Sequence, residues 1–200
     1  MTGQPPKQMC KQQNSFSLLP VSGLILAGGA GRRMGGVDKG WVRWHGSTLI
    51  KQAIHIIQAD STEILISANR HLDQYRALGH RVITDANNGF EGPLMGLSAG
   101  LAAAREDWVA SIPVDSPLLP PDLLRQLWQA KMDKDLVVVS SDTGLHAVVT
   151  LCHRRLLPHL QHYLDQGGRK AQGWFQDLNY ATLYLDEALL RNCNSPEDLP

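Results

Sequence analysis

The fold of this chain is decided by residues 21–39, which read VSGLILAGGAGRRMGGVDK. The stretch begins as a short apolar run, and glycines follow that run at once. This order is typical of a buried parallel strand that enters a turn. Because open α/β sheets bind ligands at the carboxyl ends of their strands, the stretch predicts a strand followed by a ligand-binding loop.

The rest of the chain continues as an alternation of apolar strand patterns and helical patterns. Further strands are predicted at 63–68, 81–84, 108–114, 136–139, 146–151 and 182–185, and helices at 48–60, 71–78, 93–104, 120–131, 156–166 and 171–178. The alternation predicts an α/β fold, a three-layer α/β/α sandwich with a mostly parallel, twisted sheet. Residues 1–20 are polar and rich in glutamine and are expected to form a disordered tail, whereas residues 21–200 are expected to form a single domain.

Composition excludes several classes of protein. The 200 residues carry a formal net charge of zero, with 43% hydrophobic and 19% charged residues, which suits a soluble globule and disfavours nucleic-acid or membrane partners. The cysteines, Cys10, Cys152 and Cys193, lie far apart and lack metal-ligand spacing. A zinc site or disulfide framework is therefore not expected. The cysteine pattern instead predicts a cytoplasmic location. No apolar run reaches the roughly 20 residues that a membrane-spanning helix needs.

The loop at 26–39 is built to bind an anion. Five of its fourteen residues are glycine, and Arg32, Arg33 and Lys39 are basic. Glycines let backbone N–H groups form a concave anion site, and the basic side chains neutralise phosphate. The loop fits neither the P-loop pattern, because Gly40 follows the lysine, nor the dinucleotide pattern, because Met34 replaces its third glycine. A flexible loop with solvated arginines is the alternative interpretation.

Two aspartates are predicted at the same sheet edge as this loop. Asp115 ends one apolar strand and Asp85 ends another. A carboxylate beside a triphosphate is what Mg²⁺ requires, so Asp115 is the candidate metal ligand. Asp85 could contact a ribose hydroxyl, a base edge or water. Both could instead be turn aspartates that bond to local backbone, and the turn from Gly92 to Gly96 could either face a ligand or simply pack closely.

These motifs together resemble those of a known family. The segments 26–29, 33–35 and 39–40 are similar to the signature of nucleotidyltransferases with the Rossmann-like, glycosyltransferase-A type of fold. The segments 37–40, 68–71, 92–94 and 115–117 narrow the resemblance to the molybdenum cofactor guanylyltransferases. The closing segment 192–197 resembles the N-x-N-[ST]-P-E motif of that family, and the likeness runs from about Leu24 to Leu199.

The resemblance implies an activity and the residues that carry it. GTP and molybdopterin, with or without molybdenum, would give the guanine dinucleotide and pyrophosphate, with Mg²⁺ as cofactor. The residues implied in nucleotide binding are Leu26, Ala27, Gly28, Gly29, Lys39, Ser67, Asn69, Asp85 and Asp115. Those implied in catalysis are Arg33, Lys39 and Asp115, the last of which would hold the metal. Those implied along the pterin cleft are Gly92, Gly96, Asn192 and Asn194.

Two departures and several rival functions accompany the resemblance. Ser67 stands where the family often has asparagine, and Ala147 stands where it tends to have proline after His146. The rivals are a cytidylyltransferase acting on the same pterin, a sugar-phosphate nucleotidyltransferase, a non-catalytic nucleotide-binding adaptor and an NAD-dependent enzyme. The expected partners, besides the substrates, are a molybdate-insertion protein and molybdoenzyme chaperones, and the expected state is a monomer or weak oligomer.

Overall fold

A computed structural model describes residues 18–28, 37–84 and 92–193 of the chain, and within these ranges it has nine strands and six α-helices. The strands are β1 (Val21–Leu26), β2 (Arg43–Trp44), β3 (Ser47–Thr48), β4 (Glu63–Ser67), β5 (Arg81–Ile83), β6 (Trp108–Pro113), β7 (Leu136–Ser141), β8 (Gly144–His153) and β9 (Ala181–Tyr184). The helices are α1 (Leu49–Gln58), α2 (Leu72–Arg76), α3 (Pro93–Ala103), α4 (Leu123–Ala130), α5 (Leu157–Asp165) and α6 (Ala171–Phe175). Every strand and helix predicted from the sequence is therefore present, with ends shifted by a few residues.

Seven of the strands form one mixed sheet in the order β5-β4-β1-β6-β8-β7-β9. The pairs β1–β4, β1–β6, β4–β5 and β7–β9 are parallel, which confirms the mostly parallel sheet. β8 is antiparallel to both of its neighbours. The connection from β7 to β8 is too short for anything except a hairpin, because a parallel pair needs a crossover of a dozen or more residues.

The strand order reverses direction at β1. From β1 the chain moves outward to β4 and β5, and then returns to place β6 on the other side of β1. The connections that follow β1 and β6 therefore lead toward opposite edges of the sheet, and a crevice is expected between the carboxyl ends of these two strands. In open α/β sheets, that crevice at the carboxyl ends of the strands is where ligands bind.

Two hydrophobic clusters cover the two faces of the sheet, which confirms the three-layer arrangement. On β1, Ile25 belongs to one cluster with residues of α1 and α4, and Leu24 belongs to the other with residues of α3, α5 and α6. Neighbouring residues of a strand point to opposite faces, so one short apolar strand supplies both cores. This explains why β1 has no polar alternation in the sequence.

Three local features differ from the sequence-based expectations. β2 and β3 form a small hairpin that was not predicted, in which His45 and Gly46 have positive φ angles. It escaped prediction because two residues per strand are too few to show alternation. α4 begins at Leu123, two residues after Pro121. Leu19, inside the segment predicted as a tail, donates its N–H to the Asp60 carbonyl oxygen at 2.9 Å and packs against the core.

Two further expectations concern membrane-spanning helices and the division of the chain into a tail and a domain. Among the residues described, no helix is long and apolar enough to cross a membrane. The rest of the predicted tail lies outside the described ranges, and the organisation into one domain stays a prediction.

Candidate active site

The carboxyl ends of three strands are tied together by backbone hydrogen bonds. Ala27 N–H donates to the Ser67 carbonyl oxygen at 2.8 Å, and Val114 N–H donates to the Leu26 carbonyl oxygen at 3.1 Å. These bonds extend the pairing of β1 with β4 and β6 beyond the ends of the strands. The predicted nucleotide-binding residues Leu26, Ala27 and Gly28 therefore lie at the crevice, whereas Gly29 and Arg33 fall outside the described residues.

Lys39 and Asp115 meet at this edge. Lys39 opens a short 3₁₀ helix (Lys39–Trp41), and Asp115 follows β6 by two residues. Lys39 Nζ lies 2.6 Å from Asp115 Oδ2, and both side chains are partly exposed, by 22% and 15%. A cation and a carboxylate at a single point in a crevice can serve a ligand that carries both charges, such as a metal–polyphosphate complex.

The chain near the C-terminus is also brought to this point. Cys193 N–H donates to the Asp115 carbonyl oxygen at 2.8 Å, and Ser116 Oγ donates to Asn192 Oδ1 at 2.6 Å. Asn192, predicted at the pterin cleft, is thus next to the candidate metal ligand. Asn194 lies outside the described ranges.

Helix α3 packs directly on the ends of β1 and β4. A Cβ atom added to Gly96 would lie 2.8 Å from Leu26 Cδ2 and 2.9 Å from Ser67 Oγ. Ser67, the last residue of β4, is buried, and Asn69 lies two residues farther on and is half-buried. Gly96 is therefore required for close approach of the helix, and this contact fixes the wall of the crevice on the β4 side. Asp85, predicted to contact the nucleoside, is outside the described residues.

The start of α3 faces a second basic segment. Gly92, which caps α3, has a φ of 101°, and a Cβ atom there would lie 3.9 Å from the Arg169 carbonyl oxygen. The Arg169 guanidinium donates to the carbonyl oxygens of Leu164 and Gly168, both at 2.8 Å. Sequence reasoning missed this segment. Its signal was the run Gly-Gly-Arg-Lys at 167–170, which repeats the glycine-and-cation composition of the loop after β1.

The donor set fits magnesium better than a closed metal centre. Among the described residues, no group of three or more histidines, cysteines or acidic residues could hold a metal ion. Asp115 is a hard oxygen donor at the crevice. Mg²⁺ is commonly bound through one or two carboxylates, with substrate phosphates and water completing its shell. Asp115 therefore fits a metal that is held mainly by a nucleotide.

Comparison with known proteins identifies nucleotide-using relatives of this chain. The sequence model of the family described as "MobA-like NTP transferase domain" matches residues 23–180. The chain is 40% identical over 187 residues to the molybdenum cofactor guanylyltransferase of Polynucleobacter asymbioticus, covering 90% of this chain and 94% of the relative. It is also 40% identical to the protein of that name from Vibrio atlanticus, covering 91% and 96%.

Solved structures agree about the fold. The molybdopterin-guanine dinucleotide biosynthesis protein A of Archaeoglobus fulgidus superimposes with a TM-score of 0.71, covering 88% of this chain and 94% of that one, at 22% identity. At that identity the likeness concerns the architecture, which is the α/β arrangement predicted from the sequence.

Proposed function

We infer that this chain, which belongs to the MobA-like NTP transferase domain family, is a molybdenum cofactor guanylyltransferase. It transfers GMP from GTP to molybdopterin and releases pyrophosphate. The observation that carries this function is the Lys39–Asp115 pair at 2.6 Å, in which Asp115 lies two residues after β6, the neighbour of β1 in the sheet. The two relatives at 40% identity, which span nearly the whole chain, supply the choice of substrate.

The nucleotide would lie across the end of β1. Backbone N–H groups of residues 26–29 would face the phosphates, and Lys39 with Arg33 would neutralise them. Ser67, Asn69 and Asp85 would face the nucleoside. This arrangement is supported by the position of Ser67 and Leu26, which both touch the close-packed turn of α3 at Gly96.

Asp115 would hold Mg²⁺ together with the triphosphate. When bound, the metal would supply charge neutralisation on the phosphates. The proposal is supported by the chemistry of the carboxylate and by its position beside Lys39.

The acceptor would approach from the side of α3 and Asn192. We assign Gly92, Gly96, Asn192 and Asn194 to the pterin cleft, which is supported by the hydrogen bond between Asn192 and Ser116 next to Asp115. A phosphate oxygen of the acceptor would attack the α-phosphorus of GTP in line, so that one P–O bond forms as the bond to the β-phosphate oxygen breaks. The attacking group is already anionic, so no side chain needs to remove a proton. The chain positions the reactants and stabilises charge on the departing pyrophosphate.

The cellular location, partners and oligomeric state of the enzyme are part of the same proposal. We place it in the cytoplasm, which suits the buried free thiol of Cys152. Contacts with a molybdate-insertion protein and molybdoenzyme chaperones, and a monomeric or weakly oligomeric state, are also proposed.

The direct test is pyrophosphate release from GTP, CTP and ATP in parallel, each with Mg²⁺ and molybdopterin. We expect release with GTP that depends on the pterin. Preference for CTP would identify a cytidylyltransferase. Nucleotide binding without release would identify an adaptor, and release with a sugar phosphate in place of the pterin would refute the acceptor.

A further inference from the structure

Asp38, which directly precedes Lys39, has its carboxylate buried in the protein. The residue is 8% exposed, and its Oδ1 accepts hydrogen bonds from Tyr75 Oη at 2.7 Å and from Gly40 N–H at 3.1 Å. A buried carboxylate is costly unless such donors compensate the loss of water. The two donors lie on either side of this carboxylate, one in the turn of Lys39 and one on helix α2.

Tyr75 reaches the turn from 37 residues away along the chain and is fully buried. Its hydroxyl packs against Gly40, where an added Cβ atom would lie 2.3 Å from Tyr75 Oη. The ring centroids of Tyr75 and Trp41 are 5.2 Å apart. The backbone N–H of Trp41 donates to the Asp38 carbonyl oxygen at 3.1 Å. The turn that carries Lys39 is therefore held in place by a buried aromatic side chain.

The hydroxyl of Tyr75 is maintained as a donor. Burial, together with the adjacent Asp38 carboxylate, raises the pKa of this phenol well above its usual range. It therefore keeps its proton at neutral pH and remains a hydrogen-bond donor.

We propose that Tyr75 and Asp38 are positioning residues for nucleotide binding: they hold the turn so that Lys39 Nζ reaches the triphosphate beside Asp115. A lysine stem is long and flexible, and its terminal position is defined only if its backbone is fixed. Apolar packing alone could stabilise this part of the core, whereas a buried hydroxyl–carboxylate bond also sets one orientation of the turn. The inference rests on the proposed function, because it assigns Lys39 to the triphosphate.

The test is a double-mutant cycle between Tyr75→Phe and Lys39→Met, measured by calorimetric binding of Mg-GTP and by kcat/KM for pyrophosphate release. Tyr75→Phe removes one hydroxyl and leaves the ring packing intact. In the parent we expect it to weaken Mg-GTP binding and lower kcat/KM by about tenfold, as loss of a hydrogen bond to a charged group does. In the Lys39→Met background we expect Tyr75→Phe to change Mg-GTP affinity and kcat/KM by less than about twofold further. The reason is that the effects of mutating two coupled residues are not additive.

Two more variants separate positioning from stability. Ser22→Ala also removes a buried hydroxyl that donates to a carboxylate, Glu63 Oε1 at 2.8 Å, but at the opposite edge of the sheet. It should lower the melting temperature about as much as Tyr75→Phe does and leave Mg-GTP binding unchanged. Asp38→Asn, whose amide oxygen still accepts hydrogen bonds, should retain more binding than Asp38→Ala.

Equal losses from Tyr75→Phe with and without Lys39, or binding in Tyr75→Phe equal to that of the parent, would overturn the inference. If the parent itself releases no pyrophosphate, the proposed function fails. The calorimetric cycle with Mg-GTP then still decides whether Tyr75 acts through Lys39.

Discussion

The two edges of the sheet each carry an ion-paired carboxylate, and the surroundings of the two differ. At the amino edge, Glu63 accepts hydrogen bonds from Ser22 Oγ at 2.8 Å, Arg105 N–H at 2.6 Å and Arg81 Nη1 at 2.9 Å. At the carboxyl edge, two residues after β6, Asp115 pairs with the Lys39 ammonium at 2.6 Å.

We interpret Glu63 as a structural carboxylate and Asp115 as a functional one. Glu63, on β4, is held by a buried hydroxyl from β1 and by a backbone N–H just after α3, which are fixed donors. Asp115 is paired with a lysine whose flexible stem can turn to a phosphate. Charge at the first edge stabilises the fold, and we propose that charge at the second edge binds the ligand.

The largest expected effect comes from removing the charge of Asp115. Asp115→Asn should lower kcat for pyrophosphate release by about a thousandfold, because the metal loses its protein ligand. The melting temperature should stay close to that of the parent, since the pair is partly exposed and screened. Asp133→Asn, an exposed aspartate after α4, is the matched control and should keep full activity. Turnover of Asp115→Asn near the parental value would mean that the metal is held elsewhere.

Lys39→Met should have the next largest effect. The variant keeps most of the apolar stem and removes the ammonium, so we expect a loss of about a hundredfold in kcat/KM for GTP. Lys39→Arg should recover part of this loss, since a planar guanidinium pairs with phosphate but differs in shape. A steady-state titration with GTP measures both. If Lys39→Met and the parent have the same kcat/KM, the lysine serves only as a partner of Asp115.

A smaller effect is expected at the wall formed by α3. In Gly96→Ala the new Cβ would lie under 3 Å from Leu26 and Ser67, and in Gly100→Ala it would lie 2.4 Å from Leu24 Cδ2, one turn farther from the edge. Both should lose about 1–3 kcal/mol of unfolding free energy through overpacking. Only Gly96→Ala should raise KM for GTP. Equal KM values in the two variants would show that the end of β4 does not contribute to nucleotide binding.

The smallest expected effect lies at the amino edge and depends on pH. Burial acts to raise the pKa of Glu63, but hydrogen bonds from Arg105, Ser22 and Arg81 outweigh it, and the net pKa is below the ordinary 4.5. A lowered pKa means that the carboxylate stabilises the fold above pH 4.5, the value in the unfolded chain, and that this contribution disappears as pH falls through the lower folded-state pKa.

Glu63→Gln should therefore lose about 1 kcal/mol at neutral pH, a modest value because its arginine partners are solvent-screened. Its unfolding free energy, followed by urea titration at several pH values, should fall less steeply than that of the parent below pH 4.5. Its kcat should be unchanged. A reduced kcat at full folding would contradict the division between the two edges.

Much of the fold was predictable from local pattern. The alternation of strands with helices predicted the α/β sandwich, which is confirmed. The apolar run before the glycines predicted the ligand edge, which stays a prediction. The β2–β3 hairpin and the antiparallel direction of β8 were not predicted. Strand direction depends on pairing partners and connection length, which periodicity within one strand does not record.

The site was only partly predictable. Lys39 and Asp115 were found from residue type and position, and Asn192 from the family resemblance. The structure brings these residues together, and their roles stay predictions. Roles for Gly29, Arg33, Asp85 and Asn194 stay predictions. Tyr75 was missed because it belongs to no local motif and meets Gly40 only in the folded chain. Arg169 was missed because its run Gly-Gly-Arg-Lys comes beside Gly92 only through folding.

The sequence by itself determined which chemistry the chain carries: a glycine-rich anion loop, a lysine within it and an aspartate at a strand end. Only the tertiary structure decided that the lysine and the aspartate meet. Lys39 and Asp115 are 76 residues apart, as are Ser116 and Asn192, and the first pair depends on β6 lying beside β1. Backbone hydrogen bonds between strands set that neighbourhood, and they are formed by the same atoms in every residue, so side-chain identity does not specify them.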